Sequence, residues 1–102
     1  MSRTTEHVDA FNHAVTSGEW DTFAQRFAAD ARMSFVGVPA GPFEGRTAIA
    51  AAYRENPPTE TMTLDGADGD TVKFRWAGGD TGTMDLSWAP DGTVQTLTVS
   101  FD

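Results

Sequence analysis

The sequence predicts an α+β domain, a layer of three helices packed on one face of a curved, mostly antiparallel sheet. Three observations carry this. The first half carries apolar residues at helical spacing, broken once by an extended run. The last two-fifths alternate apolar and polar residues over four segments. Gly and Pro sit between the segments, where the chain must turn.

The first helix ends at Gly18, a good residue to close a helix, and Ser2 or Thr5 can cap its start. Glu6 and Asp9 suit its positive end. Val8, Phe11 and Val15 form its apolar stripe. Trp20, Phe23 and Phe27 repeat the spacing, so a second helix follows at once and folds back on the first. Phe27-Ala28-Ala29-Asp30-Ala31 ends that helix and leads into an extended run, Arg32 to Val38. Pro39, Gly41 and Pro42 exclude a helix beyond it. Arg46 to Glu55 is helical by propensity, with Ile49 and Tyr53 four apart, and Asn56-Pro57-Pro58 closes it.

The β segments follow. Met62 and Leu64 alternate with Thr61 and Thr63. Val72, Phe74 and Trp76 alternate with Lys73 and Arg75. Met84, Leu86 and Trp88 alternate with Asp85 and Ser87, and Leu97, Val99 and Phe101 with Thr96, Thr98 and Ser100. Period two gives one apolar and one polar face. Asp91-Gly92 reads as a two-residue hairpin turn. That turn sets Leu86 against Leu97 and Met84 against Val99; a slip of one residue would set Leu86 against a Thr. Gly78-Gly79-Asp80 turns the preceding hairpin and lets Lys73 or Arg75 face Asp85.

At 102 residues, 1–102 reads as one domain. The net charge of −8 comes from 15 acidic and 7 basic residues. Nucleic acid and anionic membrane surfaces are poor partners for that balance. There is no cysteine, hence no disulfide and no thiolate metal site. No apolar run approaches the roughly 20 residues that span a bilayer, and the polar first residues lack a signal-peptide core. The expected setting is the cytoplasm.

The order helix, helix, strand, crossing helix, four strands resembles the SnoaL-like and nuclear-transport-factor-two-like superfamily, the cone fold of ketosteroid isomerases and polyketide cyclases. The motifs are Phe11…Ser17-Gly18-Glu19-Trp20, Phe27-Ala28-Ala29-Asp30-Ala31 and Phe43-Glu44-Gly45-Arg46-Thr47-Ala48-Ile49. The resemblance implies a cup between helices and sheet. It also implies positions for a tyrosine, a base and a neutral acid that hold an oxyanion. Here those positions hold Phe11, Phe35 and Met84. A phenyl ring takes no proton and a thioether donates no hydrogen bond, so the family's isomerase mechanism is not expected. Tyr53 matches a pocket tyrosine of some relatives.

The expected lining of the cup is Phe11, Phe35, Tyr53, Met62, Phe74, Trp76, Met84 and Val99, suited to a small apolar molecule. The alternative is a cyclase- or isomerase-like enzyme that uses Tyr53 with His7 or Asp85. His7 reads as a base at the mouth or, preferred, as an exposed helix histidine; His13 reads as surface. Tyr53 either orients a ligand atom or bonds backbone. Asp85 is an acid or base if it faces inward, and otherwise, as preferred, a cross-strand partner of Lys73 or Arg75. Asp65, Asp68 and Asp70 lack the ligand pattern of a calcium loop, and no metal or cofactor is expected. The Thr-rich polar face is a candidate homodimer surface, which gives a third reading as a dimerisation or accessory module.

Overall fold

The computed structural model describes residues 3–39 and 41–101. In chain order these form α1 (Arg3–Ser17), α2 (Trp20–Ala24), β1 (Phe27–Val36), β2 (Phe43–Glu44), α3 (Arg46–Glu55), β3 (Met62–Asp68), β4 (Thr71–Trp76), β5 (Thr81–Trp88) and β6 (Val94–Phe101). The six strands make one sheet in the order β2-β1-β6-β5-β4-β3. All neighbours are antiparallel except β1 and β6. Among the described residues no helix is long and apolar enough to cross a membrane.

One face of the sheet meets the helices. Its side chains follow the period-two pattern: Met33 and Phe35 on β1, Leu97 and Val99 on β6, Met84 and Leu86 on β5, Val72 and Phe74 on β4. They join Val8, Phe11, Trp20, Phe23, Ile49 and Tyr53 of the helices in one core. The rings of Phe11, Trp20, Phe23 and Tyr53 pack against one another, with Trp20 stacked on Tyr53 at 4.8 Å. Such contacts add specificity to the area that the rings bury.

The hairpin register matches the sequence expectation: Leu86 faces Leu97 and Met84 faces Val99. The turn itself differs. It is a three-residue loop, Pro90-Asp91-Gly92, closed by Ala89 N–H to Thr93 O at 2.8 Å, with Gly92 at φ +90°. The extra loop residue is offset by an irregularity between Ser87 and Trp88, so the strands regain the expected pairing beyond it. Asp91 accepts bonds from the Thr93 backbone and hydroxyl, and these hold its carboxyl below the ordinary value.

The second helix is shorter than its spacing suggests. It stops at Ala24, and Phe27 already belongs to β1, paired with Val94. Phe27 is fully buried on β1, and a single apolar residue suits a buried helix or a buried strand, so the apolar spacing could not distinguish them. In α1 the buried residues are Thr4, His7, Val8, Phe11 and Ala14, while Val15 is half-buried. The buried face is therefore turned from the expected stripe. Gly18 closes α1, its N–H donating to Ala14 O at 2.8 Å. Thr5 lies inside α1, and Ser2, the other candidate cap, lies outside the described residues.

Two devices seat the helices on the sheet. Asn12 of α1 pairs with the start of β3 as a strand residue would: Nδ2 donates to Met62 O at 2.9 Å and Oδ1 accepts from Met62 N–H at 2.8 Å. Arg46, at the start of α3, donates from Nε to Phe27 O at 2.9 Å. On β5, Gly82 leaves room for the Phe74 ring. A Cβ there would stand 2.6 Å from both that ring and Ser100 O.

Candidate functional site

Between the helices and the inner face of the sheet lies a cavity of about 720 Å³. Phe11 of α1, Met33 and Phe35 of β1, Met84 of β5 and Leu97 and Val99 of β6 give it apolar walls; Met62 and Trp76 also line it. Two polar side chains reach the cavity from buried positions, His7 and Tyr53. Its rim comes from exposed positions at and beyond the end of α3 and at the β4–β5 turn, among them Glu55, Asn56, Glu60 and Asp80.

Tyr53 is placed by α3, whose buried face is Ile49, Ala50 and Tyr53. Trp20 stacks on its ring and Phe23 meets it edge-on. Burial pushes the phenol well above its ordinary value, so the hydroxyl keeps its proton. Among the described residues it has no hydrogen-bond partner. It is thus a fixed ring with a neutral, unengaged hydroxyl at the cavity wall.

His7 is not the exposed helix histidine expected. It is 2% exposed and sits against Phe23 at 5.3 Å and Phe27 at 5.8 Å. Phe23 therefore touches both His7 and Tyr53. Burial first, and the nearby Arg26 cation second, push the imidazole down to about 3. Its Nδ1 is buried with no partner among the described residues. A group with that affinity for protons is neutral at physiological pH and a weak base. His13 is exposed and lies near Glu19.

Asp85 stands on the opposite face of the sheet. It is exposed and accepts a bond from the Thr71 hydroxyl at 2.6 Å. Its cross-strand neighbour is Thr71, and Lys73 faces Thr83 instead, so the expected pairing with Lys73 or Arg75 does not form. Arg75 meets Asp65 across 3.1 Å. Phe74 does not reach the cavity; it is fully buried over Gly82. Asp70 accepts a bond from Trp88 Nε1, and no group of three or more potential metal ligands forms among the described residues.

Several wall and rim positions escaped the sequence reading. Met33, Leu97 and Phe101 share the alternation of Phe35 and Val99 and were within its reach. Glu55, Asn56, Glu60 and Asp80 lie at a helix end and in loops, where no period marks a direction. Glu60 is held in place: its Oε1 accepts from Gly78 N–H at 2.6 Å.

The geometry defines a class: a cone-shaped α+β domain with helices closing an apolar chamber on a mixed sheet. The SnoaL-like domain family model matches residues 8–100, and the chain belongs to that family. A SnoaL-like protein of unknown function from Burkholderia thailandensis has a similar crystal structure. Its TM-score is 0.76 at 18% identity, over 98% of this chain and 94% of that one. At that identity the likeness speaks for the fold alone. No curated protein matches the chain.

Proposed function

We propose that this domain binds a small, largely apolar molecule in the cavity, with the Tyr53 hydroxyl and the neutral His7 imidazole meeting the polar part of the ligand. The observation that carries this is an apolar chamber of about 720 Å³ whose two buried polar groups are both uncharged. That size and make-up suit a drug-sized ligand. Phe11, Phe35 and Met84, which by the family resemblance hold the positions of polar groups in catalytic relatives, all line the cavity. The binding is therefore read as non-catalytic, and the setting as the cytoplasm.

An isomerase- or cyclase-like reaction would need a proton acceptor inside the chamber. Asp85 lies on the opposite face of the sheet, the Glu55, Glu60 and Asp80 carboxylates stand at exposed rim positions, and His7 is too weakly basic for the task near neutral pH.

The test uses N-phenyl-1-naphthylamine, an uncharged apolar fluorophore. Titration is expected to give saturable, one-to-one enhancement. Val99→Trp, which projects a large side chain into the chamber, is expected to abolish it while the variant remains folded by circular dichroism. Absence of saturable binding to the wild type, or an unchanged affinity in the folded variant, would defeat the reading.

A further inference from the structure

We infer that the ligand carries a cationic group on its apolar body: the cavity is a site for hydrophobic amines. This rests on the binding role proposed above and names its ligand class. Three carboxylates, Glu55, Glu60 and Asp80, lie on the rim, and no Lys or Arg is among the described lining residues. Two of the arginines are engaged with other carboxylates: Arg54 pairs with Asp21, and Arg75 with Asp65. Glu60 is also fixed in place by the Gly78 N–H. The net charge of −8 adds a field of the same sign.

The acidic rim does not stand alone. Behind it lies the apolar wall with the neutral Tyr53 phenol and His7, whose buried Nδ1 lacks a partner among the described residues. The chamber thus offers three zones in depth: polar neutral groups inside, apolar walls along it, and negative charge at the mouth. A molecule with an apolar body and a protonated amine satisfies the last two together. A carboxylate at the same position meets three like charges. A charge at the mouth keeps part of its hydration, so the chamber need not strip it of water.

Three probes with one body separate the possibilities: 2-naphthylmethylamine, 2-naphthylmethanol and 2-naphthylacetate, titrated by calorimetry. The amine is expected to bind about tenfold tighter than the alcohol, the effect of one favourable charge contact at intermediate dielectric, and the carboxylate more weakly than either. In about 0.5 M salt, where screening acts within a few ångströms, the amine's advantage should shrink. The combined variant Glu55→Gln, Glu60→Gln, Asp80→Asn should bind amine and alcohol alike; the amide introduced at position 60 retains an acceptor for the Gly78 N–H. Alcohol binding equal to amine binding in the wild type would overturn the inference and leave the apolar-binding role standing. Tighter carboxylate binding would also overturn it. Failure of all three probes to bind would remove both.

Discussion

His7 is a polar group whose Nδ1 is buried with no protein partner among the described residues. Its neighbours are the Phe23 and Phe27 rings and, at longer range, the Arg26 cation. Burial first, and the Arg26 cation second, disfavour the imidazolium. Unfolded, the side chain takes up its proton near pH 6.5; folded, only near 3. Between those values the unfolded chain holds the additional proton. The contribution of this site to stability is therefore complete above pH 6.5 and declines as the pH falls towards 3. The slope approaches about 1.4 kcal/mol per pH unit, enough to total a few kcal/mol across the window. His7→Leu removes the titration and keeps the apolar contacts. Urea denaturation of both proteins from pH 7 down to 4 is expected to show the wild type losing stability faster than the variant. Parallel curves would mean that the imidazole is hydrated or paired in solution.

At the scale of elements, the side chain of Asn12 hydrogen-bonds α1 to β3. Asn12 offers an acceptor and a donor to the backbone of Met62, as an added strand would, at the first residue of an edge strand. Asn12→Ala is expected to cost about 1–3 kcal/mol, because two hydrogen bonds are lost and half-buried backbone groups are left without partners. The amide of Met62 should then exchange with deuterium faster than those of β5 and β6. An unchanged urea midpoint and unchanged exchange would show that water replaces Asn12 without loss. Local patterning made much of the fold legible. Alternation along β5 and β6 set the Leu86–Leu97 pairing, and Gly18 marked the end of α1. What escaped is what patterning cannot encode. The partner of Asn12 is 50 residues away. Thr4 and His7 belong to the buried face of α1 but do not look apolar, so the stripe read from Val8, Phe11 and Val15 was rotated. Phe27 is buried on β1, and one buried apolar residue does not tell helix from strand. The apolar wall was partly legible through period two, while the acidic rim lies in segments without a period.

On the scale of the whole molecule, the two faces of the sheet have separate tasks. The inner face carries the core and the chamber. The outer face is a polar field, with Ser34, Thr98, Asp85 and Thr71 in register across four strands. Many of its groups bond within the chain: Thr71 to Asp85, Ser87 with Thr96, Arg75 with Asp65. We expect this outer face to be the contact of a homodimer, because it is the broad continuous surface left free by the helices. Each copy carries a net charge of −8, so association opposes like charge and should strengthen as salt screens it. Thr98 lies near the middle of the sheet, on β6 beside Asp85. Thr98→Arg puts a long cation there, within reach of Asp85 and incompatible with close approach of a second sheet. Sedimentation equilibrium should then report a smaller mass for the variant than for the wild type, with binding of the naphthylamine probe unchanged because the chamber opens elsewhere. Equal masses for two dimers would place the contact on another surface, and a monomeric wild type at every salt concentration would remove the dimer altogether. If Thr98→Arg weakened dimerisation and probe binding together, the two faces would be coupled through the sheet, contrary to the separation that the residue pattern supports.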